Sequence, residues 1–179
     1  MRYAYPIFLD LAGKPCVVFG TGPTATEKAA DLVAAGAVVT RIERDHQAGD
    51  LAGQILVVIA GPDRTRNAEI FAEAERERAL VNAIDDPAHC RFVFPSVHRQ
   101  GDLVIAVSTT GKCPALAVRL RERFQEEFGG EYAEFLRAAG ELRDRLARRI
   151  PDFNRRRKLW YRLVDSFLRK REDEPCLTS

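Results

Sequence analysis

Short apolar runs alternate with amphipathic stretches along the first half of the chain. Residues 16–19, 54–60 and 80–84 are almost continuously apolar. Runs of this length are typical of strands that are covered on both faces. Between them, residues 26–35 and 64–78 carry apolar side chains at helical spacing. Strands that alternate with helices in this way predict a parallel α/β sheet with right-handed crossovers.

The rest of the pattern completes the expected elements. Gly36 is expected to follow the C-cap of the first helix, and residues 37–40 predict a strand directly after it. Residues 92–97 and 103–108 predict two strands joined as a hairpin through residues 99–102. The remaining chain predicts helices over 115–128, over 131–149 and from Pro151 onward, with frayed ends over 172–179.

The turn between the first strand and the first helix has the composition of a phosphate cradle. Its spacing is G-x-G-x-x-A, starting at Gly20. Glycines let a pyrophosphate approach the backbone, while the free N–H groups and the positive dipole of the helix face the anion. A structural turn without ligand is the alternative. The predicted dinucleotide contacts in this turn are Gly20, Thr21, Gly22, Pro23, Thr24 and Ala25.

Other candidate residues follow neighbouring strands. Ligands of parallel sheets bind beyond the carboxyl ends of the strands. Gly61 and Pro62 end the third strand, and Asp85 and Asp86 end the fourth, so both pairs are expected near the glycine turn. Asp-Asp-Pro is also a common turn sequence, so the residues alone leave catalysis and a turn open. Glu43 lies about twenty residues past the glycines, where an acid often binds the ribose hydroxyls.

Composition and charge argue against several classes of protein. The net charge is +2, and no apolar run is long enough to cross a bilayer. The N-terminus lacks a signal peptide pattern, so a cytoplasmic protein without a membrane partner is expected.

The four cysteines and three histidines lack metal-ligand spacing, so no metal site is predicted. Residues 143–171 are rich in arginine, which is typical of a solvated face or of an anion-binding surface. Interleaved acids and the lack of an aromatic platform disfavour nucleic acid.

Several stretches together resemble one family, the precorrin-2 dehydrogenases. This family also forms the N-terminal part of sirohaem synthases and includes bifunctional dehydrogenase–ferrochelatases. The matching stretches occur in the family's order and cover about two thirds of the chain. They read YPIFLDLAGKPCVVFGTG, EKAADLVAAGA, IERDHQAGDLAG, VNAIDDPAHCRFVFPS and GDLVIAVSTTGKCPALAVRLRERF.

The resemblance implies a fold and an activity. The implied fold is a Rossmann-like parallel sheet, followed by a hairpin dimerisation region and a C-terminal helical domain. The corresponding domains are 1–91 for NAD binding, 92–112 for the hairpin, and 113–179 for dimerisation and substrate. The implied reaction is the NAD-dependent oxidation of precorrin-2 to sirohydrochlorin in sirohaem biosynthesis, sometimes followed by insertion of ferrous iron. The implied assembly is a homodimer.

The resemblance also implies roles for individual residues. Asp85 matches the catalytic aspartate of the family and would accept the proton that the oxidation releases. The substrate is a tetrapyrrole with many carboxylates, which arginines of the C-terminal helices would bind. Hydroxyls and an ammonium group in the loop after the hairpin suit the same task. The predicted substrate-binding residues there are Ser108, Thr109 and Lys112.

This chain departs from the family pattern in four places. The stretch over residues 109–113 differs from the usual serine- and glycine-rich form. Thr21 replaces the middle glycine of the turn, and Glu27 stands where a basic residue is usual. A helix and a strand of the relatives are missing after Thr40, which by alignment places Glu43 in a later strand, away from the ribose. These departures keep an alternative open, in which the protein is a shortened, non-catalytic relative that binds or senses tetrapyrroles without NAD.

Overall fold

The computed structural model describes residues 5–173, so the expected fraying of residues 172–179 falls mainly outside this range. Four parallel strands form one sheet in the order β2-β1-β3-β4. This confirms the α/β fold class that the alternating pattern predicts. The strands are β1 (Pro15–Phe19), β2 (Val38–Ile42), β3 (Leu56–Ile59) and β4 (Leu80–Ala83), and the helices between them are α1 (Gly22–Ala34) and α2 (Arg64–Glu77).

The core lies on both faces of β1 and β3. Alternate residues of a strand point to opposite faces, so Val17 packs in the cluster that contains Ile70 of α2. Val18 packs on the other side, in the cluster that contains Ala25 and Leu32 of α1. All five side chains are buried. Burial on both faces explains why these two strands are apolar without alternation.

The chain divides into two compact units. The first comprises residues up to Pro95 together with Ser108–Pro114, and the second comprises Ser96–Val107 and the residues from Ala115 onward. The three-part division at residues 91 and 112 stays a prediction. The later elements are the antiparallel strands β5 (Ser96–Gln100) and β6 (Leu103–Val107), followed by α3 (Pro114–Glu127), α4 (Gly130–Arg149) and α5 (Phe153–Asp173).

Contacts within the second unit join its hairpin and helices. His98 of β5 is buried, and its Nε2 lies 2.9 Å from the carbonyl oxygen of Phe128. Phe167 of α5 stacks on Phe135 of α4 with ring centroids 4.2 Å apart. The turn of the hairpin also approaches α4, since a Cβ on Gly101 would lie 2.8 Å from Cβ of Ala133. This contact supports a hairpin that would be marginal as an isolated pair of strands. No helix within residues 5–173 is long and apolar enough to cross a membrane.

Two element boundaries of the sheet differ from the prediction. Helix α1 begins at Gly22, whereas the sequence predicts its start at Thr26. Pro23 explains the difference because its fixed φ suits the first turn of a helix and its missing N–H costs nothing there. Strand β2 continues through Ile42, two residues further than predicted, because it pairs with β1 up to Phe19.

The predicted strand over residues 92–97 is wrong in its first half. Phe92 and Phe94 pack against the sheet, and Asn82 donates from Nδ2 to the Phe92 carbonyl oxygen at 2.8 Å. Pro95 has no N–H to contribute to a ladder. Strand β5 instead begins at Ser96 and includes residues 99 and 100, which the sequence places in the turn. Apolar residues in this stretch serve tertiary packing, which a local pattern does not distinguish from a strand.

Candidate functional site

The glycine turn is tightly joined to two strand ends. Gly20 has φ +119, and its N–H donates to the Ile42 carbonyl oxygen at 3.0 Å. A Cβ on Gly20 would lie 2.4 Å from the carbonyl oxygen of Ala60, which follows β3. Only glycine therefore fits at this point. The turn after β1 is thereby fixed against the ends of both neighbouring strands.

The start of α1 leaves backbone donors available. Thr21 is the extended N-cap residue and makes no side-chain cap, and the first turn contains no acidic residue. Gly22 has φ +83, and a Cβ there would meet no atom within 4 Å. Orphan N–H groups beside open space are suited to a phosphate group. Pro23 contributes no N–H to such a contact, whereas Thr24 is exposed, and Ala25 is buried and packs α1 on the sheet.

The turn after β3 borders the same site. Gly61 and Pro62 line a small depression together with Gly20 and Phe19. The sequence-based expectation that these turns lie together therefore agrees with the geometry. Asp63 follows and caps α2, with its carboxylate accepting from the backbone N–H of Thr65 at 2.9 Å. The cap fixes where α2 begins, and with it the position of the turn.

Glu43 lies immediately after β2 and not within a later strand. Its Oε1 is 2.9 Å from Nη2 of Arg41, and the side chain remains 58% exposed. The residue before it, Ile42, accepts the hydrogen bond of Gly20. Among the described residues, no helix or strand intervenes between β2 and β3. The alignment-based expectation for Glu43 is therefore wrong, because the shortened connection leaves Glu43 at the carboxyl end of β2.

The connection from β2 to β3 is held by a buried carboxylate of α2. Glu73 accepts from the backbone N–H groups of Gly49 and Leu51, both at 3.0 Å, and its Oε2 lies 2.8 Å from His46 Nε2. Arg44 pairs with Asp50 at 2.7 Å in the same segment. The Arg44 guanidinium lowers the pKa of the Asp50 carboxyl to about 2. A short loop with this many partners has one preferred shape.

Asp85 and Asp86 differ sharply in environment although they are adjacent. Asp85 is exposed and has φ +56, a left-handed conformation that is uncommon outside glycine. Within residues 5–173, its carboxylate has no hydrogen bond or ion pair. Asp86 is 5% exposed and lies within hydrogen-bonding distance of Asn67, His89 and Arg64. Strain at an exposed acid is typical of functional positions.

The partners of Asp86 fix the turn that carries Asp85. Asn67 donates to Asp86 at 3.0 Å, His89 Nδ1 lies 2.8 Å away and Arg64 Nη1 lies 2.9 Å away. These contacts hold the pKa of the Asp86 carboxyl well below its usual range, the Asn67 hydrogen bond being the largest cause. Arg64 also donates from Nη2 to the backbone carbonyl oxygen of Asp85 at 2.6 Å. Asp86 therefore has the structural role and leaves Asp85 free for chemistry.

The sequence analysis missed the three residues that hold Asp86. A signal for Asn67 exists, because it lies three and seven residues before the buried Ile70 and Ala74 and is itself 1% exposed. An amide on the apolar face of a helix needs a buried partner. Arg64 and His89 carry no comparable signal, since exposed basic residues are common at helix ends and turns.

The predicted substrate loop lies in the same compact unit as Asp85. The Ser108 hydroxyl accepts from the Thr110 N–H at 3.2 Å, and the Thr109 hydroxyl accepts from the Cys113 N–H at 3.3 Å. Lys112 is exposed and its ammonium group has no partner among the described residues. The loop thus keeps two hydroxyl protons and one cation available, although none of its described contacts reaches Asp85.

The helices of the second unit enclose a groove of about 830 Å³. Its apolar lining includes Leu136 and Trp160, and its cationic lining includes Arg143 and Arg156. Arg156 also donates to the carbonyl oxygen of Ile150 at 2.6 Å, which holds the link between α4 and α5. The groove is therefore both aromatic and basic.

Comparison with known families shows which family the chain belongs to. The model of an NAD(P)-binding family matches residues 7–96, which contain the glycine turn, Glu43 and Asp85. The chain belongs to this NAD(P)-binding family. Two further models match next to it, the central region of a sirohaem biosynthesis protein over residues 100–127 and the sirohaem synthase dimerisation region over residues 131–173. The resemblance to the precorrin-2 dehydrogenase and sirohaem synthase family is confirmed.

Individual relatives agree with the family assignment. The chain is 32% identical to "Siroheme synthase" of Photorhabdus laumondii subsp. laumondii, over 87% of this chain and 37% of that protein. It is 35% identical to "Siroheme synthase 1" of Pectobacterium atrosepticum, over 88% of this chain and 37% of that protein. The chain therefore spans a little over a third of the length of these curated relatives.

A solved structure has the same fold. It is described as "SirC, precorrin-2 dehydrogenase" and superposes with a TM-score of 0.73, covering 96% of this chain and 100% of that one. Sequence identity to it is 20%, so the likeness establishes the fold. In this NAD(P)-binding family, the uncapped start of α1 and the open space at Gly22 fit a dinucleotide.

Proposed function

We propose that the protein is a precorrin-2 dehydrogenase, which uses NAD to form sirohydrochlorin in sirohaem biosynthesis. The observation that carries the proposal is the pairing of two features at one sheet edge. A glycine turn with uncapped helix donors follows β1, and the exposed, unpartnered Asp85 follows β4. A dinucleotide cradle and a free carboxylate are what a dehydrogenation that releases a proton requires.

The residues of the glycine turn fit NAD as the cofactor. NAD, when bound, supplies a hydride acceptor for the substrate. Donors at the start of α1 would bind its pyrophosphate, next to Gly22, where no side chain intrudes. Thr21 and Thr24 add hydroxyl groups at the rim, and Gly61 and Pro62 form the wall on the side of β3.

Asp85 would accept the proton that leaves the substrate. Its carboxylate is exposed and free of protein partners, so both oxygens are available to a tetrapyrrole. Arg64 holds the backbone carbonyl of Asp85, and Asp86 neutralises that arginine. The backbone of Asp85 is therefore fixed, and only rotation about its side-chain bonds can move the carboxylate.

The substrate carries many carboxylates, and cations of the chain suit them. Lys112 is exposed and unpaired among the described residues, next to the free hydroxyl protons of Ser108 and Thr109. Arginines bind carboxylates with two parallel hydrogen bonds. Arg143 and Arg156 line the groove of the second unit and would serve such groups or a partner subunit.

The assembly that fits this function is a homodimer. The match to a dimerisation region, over residues 131–173, covers all of α5 and all of α4 except its first residue. The aromatic and basic groove of these helices supports burial against a second copy. In this arrangement, residues 92–112 form the hairpin domain and residues 113–179 the helical domain, after an NAD-binding domain over residues 1–91.

Insertion of ferrous iron into sirohydrochlorin is the second candidate function. Iron is a substrate in this reaction, and the free carboxylate of Asp85 is the group that would guide it or take a pyrrole proton. No group of three or more His, Cys, Asp or Glu residues suited to a metal occurs among residues 5–173.

Anaerobic turnover of precorrin-2 by the purified protein tests the proposal. We expect formation of sirohydrochlorin together with one equivalent of reduced nicotinamide, both followed by absorbance. Subsequent addition of ferrous iron tests the second candidate. If the protein binds sirohydrochlorin but neither binds NAD nor turns over precorrin-2, the non-catalytic, tetrapyrrole-binding relative becomes the better account.

A further inference from the structure

The apolar segment that precedes β1 has no role in the function proposed above. Residues 5–9 read YPIFL, and their large side chains face solvent. Tyr5 is 88% exposed, Phe8 is 74% exposed and Ile7 is 61% exposed. Within residues 5–173, the backbone of this segment makes no recorded hydrogen bond. A continuous run of exposed large apolar side chains marks a surface that binds another molecule.

The segment leaves the first unit from a fixed point. Leu11 is buried in the cluster that packs α1 on the sheet, and its carbonyl oxygen accepts from the N–H of Lys14 at 2.9 Å. Asp10 is exposed, and its Oδ1 accepts from the N–H of Ala12 at 3.1 Å. The other carboxylate oxygen is left for a further partner. The chain thus presents an apolar segment that ends in an acid.

The groove of the second unit has the complementary chemistry. Its apolar lining includes Leu136 and Trp160. Gly140 also lines it, and a Cβ there would meet no atom within 4 Å, so the groove has room for side chains. Arg143 and Arg157 of the lining are exposed, and within residues 5–173 neither makes a hydrogen bond or an ion pair. Aromatic side chains and a carboxylate suit such a lining.

The groove and the segment also agree in length. The lining residues of α4 extend from Leu136 to Ala147. This part of the helix is about 17 Å long. Residues 5–10 span about 17 Å when they are extended. The segment can therefore follow the groove along α4 and bring its acid to one end.

The position of the groove indicates a second copy as the occupant. Apart from Asp102, every lining residue belongs to the stretch 131–173 that matches the sirohaem synthase dimerisation region. A single chain leaves the side chains of residues 5–9 exposed. In a dimer with two-fold symmetry each contact occurs twice, so one arrangement covers both segments and both grooves.

We propose that residues 5–10 of one copy bind in the helical groove of a second copy, which returns the same contact. This pairing rests on the homodimer of the proposed function and names the segment that completes its interface. Phe8 packs against the apolar lining around Trp160, and Asp10 pairs with Arg143 or Arg157. The apolar contact supplies affinity, and the charges fix the direction of the segment in the groove.

Sedimentation velocity over a concentration series tests the pairing through the dimer dissociation constant. Phe8→Asp places a charge in the apolar contact, and Gly140→Phe fills the groove without a clash at the Cβ. We expect either variant to raise the dissociation constant by about tenfold or more. Val33→Asp is the matched control, because Val33 is 59% exposed on α1, and it leaves the constant unchanged. Circular dichroism checks that every variant is folded.

Asp10→Asn separates the charge from the turn. The asparagine oxygen still accepts from the N–H of Ala12, so the start of the segment keeps its shape. We expect weaker dimerisation than in wild type and a smaller loss of affinity when salt is added, because fewer charges meet in the groove. An unchanged salt dependence would contradict the pairing of Asp10 with the arginines.

Photo-cross-linking identifies the surface that the segment meets. The residue p-benzoylphenylalanine replaces Phe8, and chains with and without a heavy-isotope label are mixed before irradiation. We expect cross-linked peptides that join both isotopes and that contain lining residues of α4 or α5. Cross-links within one chain only, or to other elements, would overturn the pairing.

The dimer measurements separate this pairing from the proposed function. A wild-type dimer whose dissociation constant is the same in Phe8→Asp would overturn the pairing and leave the homodimer standing. A wild-type protein that stays monomeric would remove both the pairing and the homodimer. Turnover of precorrin-2 by that monomer would still support the dehydrogenase, since the glycine turn and Asp85 belong to one chain.

Discussion

Arg64 donates to the backbone carbonyl oxygen of Asp85 at 2.6 Å, so the first residue of α2 supports the turn after β4. The other arm of the same guanidinium pairs with Asp86 at 2.9 Å. One side chain therefore holds the backbone of the candidate catalytic residue and the carboxylate of its neighbour. The two contacts give the aspartates different roles. Asp85 has a fixed backbone and a free carboxylate, whereas Asp86 is buried and anchors the turn.

Asp85→Asn is expected to stop turnover without loss of folding or of NAD binding. Asparagine adopts the left-handed conformation almost as readily as aspartate, so the backbone at φ +56 is tolerated. Loss of a general base typically lowers the rate by about 10²- to 10⁴-fold. The measurement is precorrin-2 turnover beside a calorimetric titration with NAD. Wild-type turnover by Asp85→Asn would contradict the assignment of Asp85.

Asp86→Asn is the matched comparison at the neighbouring position. We expect this variant to unfold at a lower temperature, because Asn67, His89 and Arg64 lose their charged acceptor. Precorrin-2 turnover by Asp86→Asn should fall less than turnover by Asp85→Asn, because the substitution affects catalysis only by loosening the turn that carries Asp85. Thermal unfolding of both variants checks the contrast, and an Asp86→Asn protein as stable as wild type would disprove the anchoring role.

Gly20→Ala and Gly61→Ala separate steric demand from cofactor contact. A Cβ at Gly20 would lie 2.4 Å from the Ala60 carbonyl oxygen at φ +119, whereas one at Gly61 meets nothing within 4 Å. We expect Gly20→Ala to lose about 3 kcal/mol or more of unfolding free energy. Gly61→Ala is expected to fold normally and to weaken NAD binding. Denaturant unfolding and NAD titration of both variants provide the measurement.

Stability is expected to fall in acid through Asp50 and Asp86. The pKa of Asp50 is lowered from 3.8 to about 2, mainly by Arg44, and that of Asp86 is also lowered. A lowered folded-state pKa stabilises the fold above the unfolded value and loses this effect as the pH falls toward the folded value. Unfolding free energy should therefore be level above about pH 5 and decline from pH 4 toward pH 2. Asp50→Asn should make this decline shallower, and an unchanged slope would argue against the pair with Arg44.

Lys112→Glu is expected to raise the KM for precorrin-2 by reversing a charge that faces a carboxylate-rich substrate. NAD affinity should not change, because the predicted cofactor contacts lie in other loops. Lys14→Glu is the control: Lys14 is exposed and precedes β1, at the sheet edge opposite the glycine turn. Equal effects of the two reversals on KM would indicate a general charge effect and not a substrate contact.

The sheet and its order of elements were predictable because local and tertiary signals agree there. Strands β1 and β3 are buried on both faces, so their apolar runs are unambiguous. The first half of residues 92–97 misled the prediction because Phe92 and Phe94 are apolar for contact with the sheet and not for strand pairing. Pro95 argues against a strand through this stretch, since it has no N–H to donate to a neighbouring strand.

Within the site, the sequence predicted which types of residue are present but not which role each of them has. The pair Asp85 and Asp86 predicted a functional carboxylate at a strand end, and the family resemblance selected Asp85. Which acid is buried depends on Arg64 and Asn67, which lie about twenty residues earlier on α2. Glu43 shows the same limit, because its place at the end of β2 depends on how the shortened loop closes.

Strand β2 forms one border of the four-stranded sheet, and Val38 at its start is 61% exposed. A border strand offers unpaired N–H and C=O groups to any extended chain that approaches it, which is a route to aggregation. Charged side chains on such a strand discourage this pairing. Arg41, within β2, and Glu43, directly after it, therefore also act as gatekeepers against sheet growth between molecules, independently of any nucleotide.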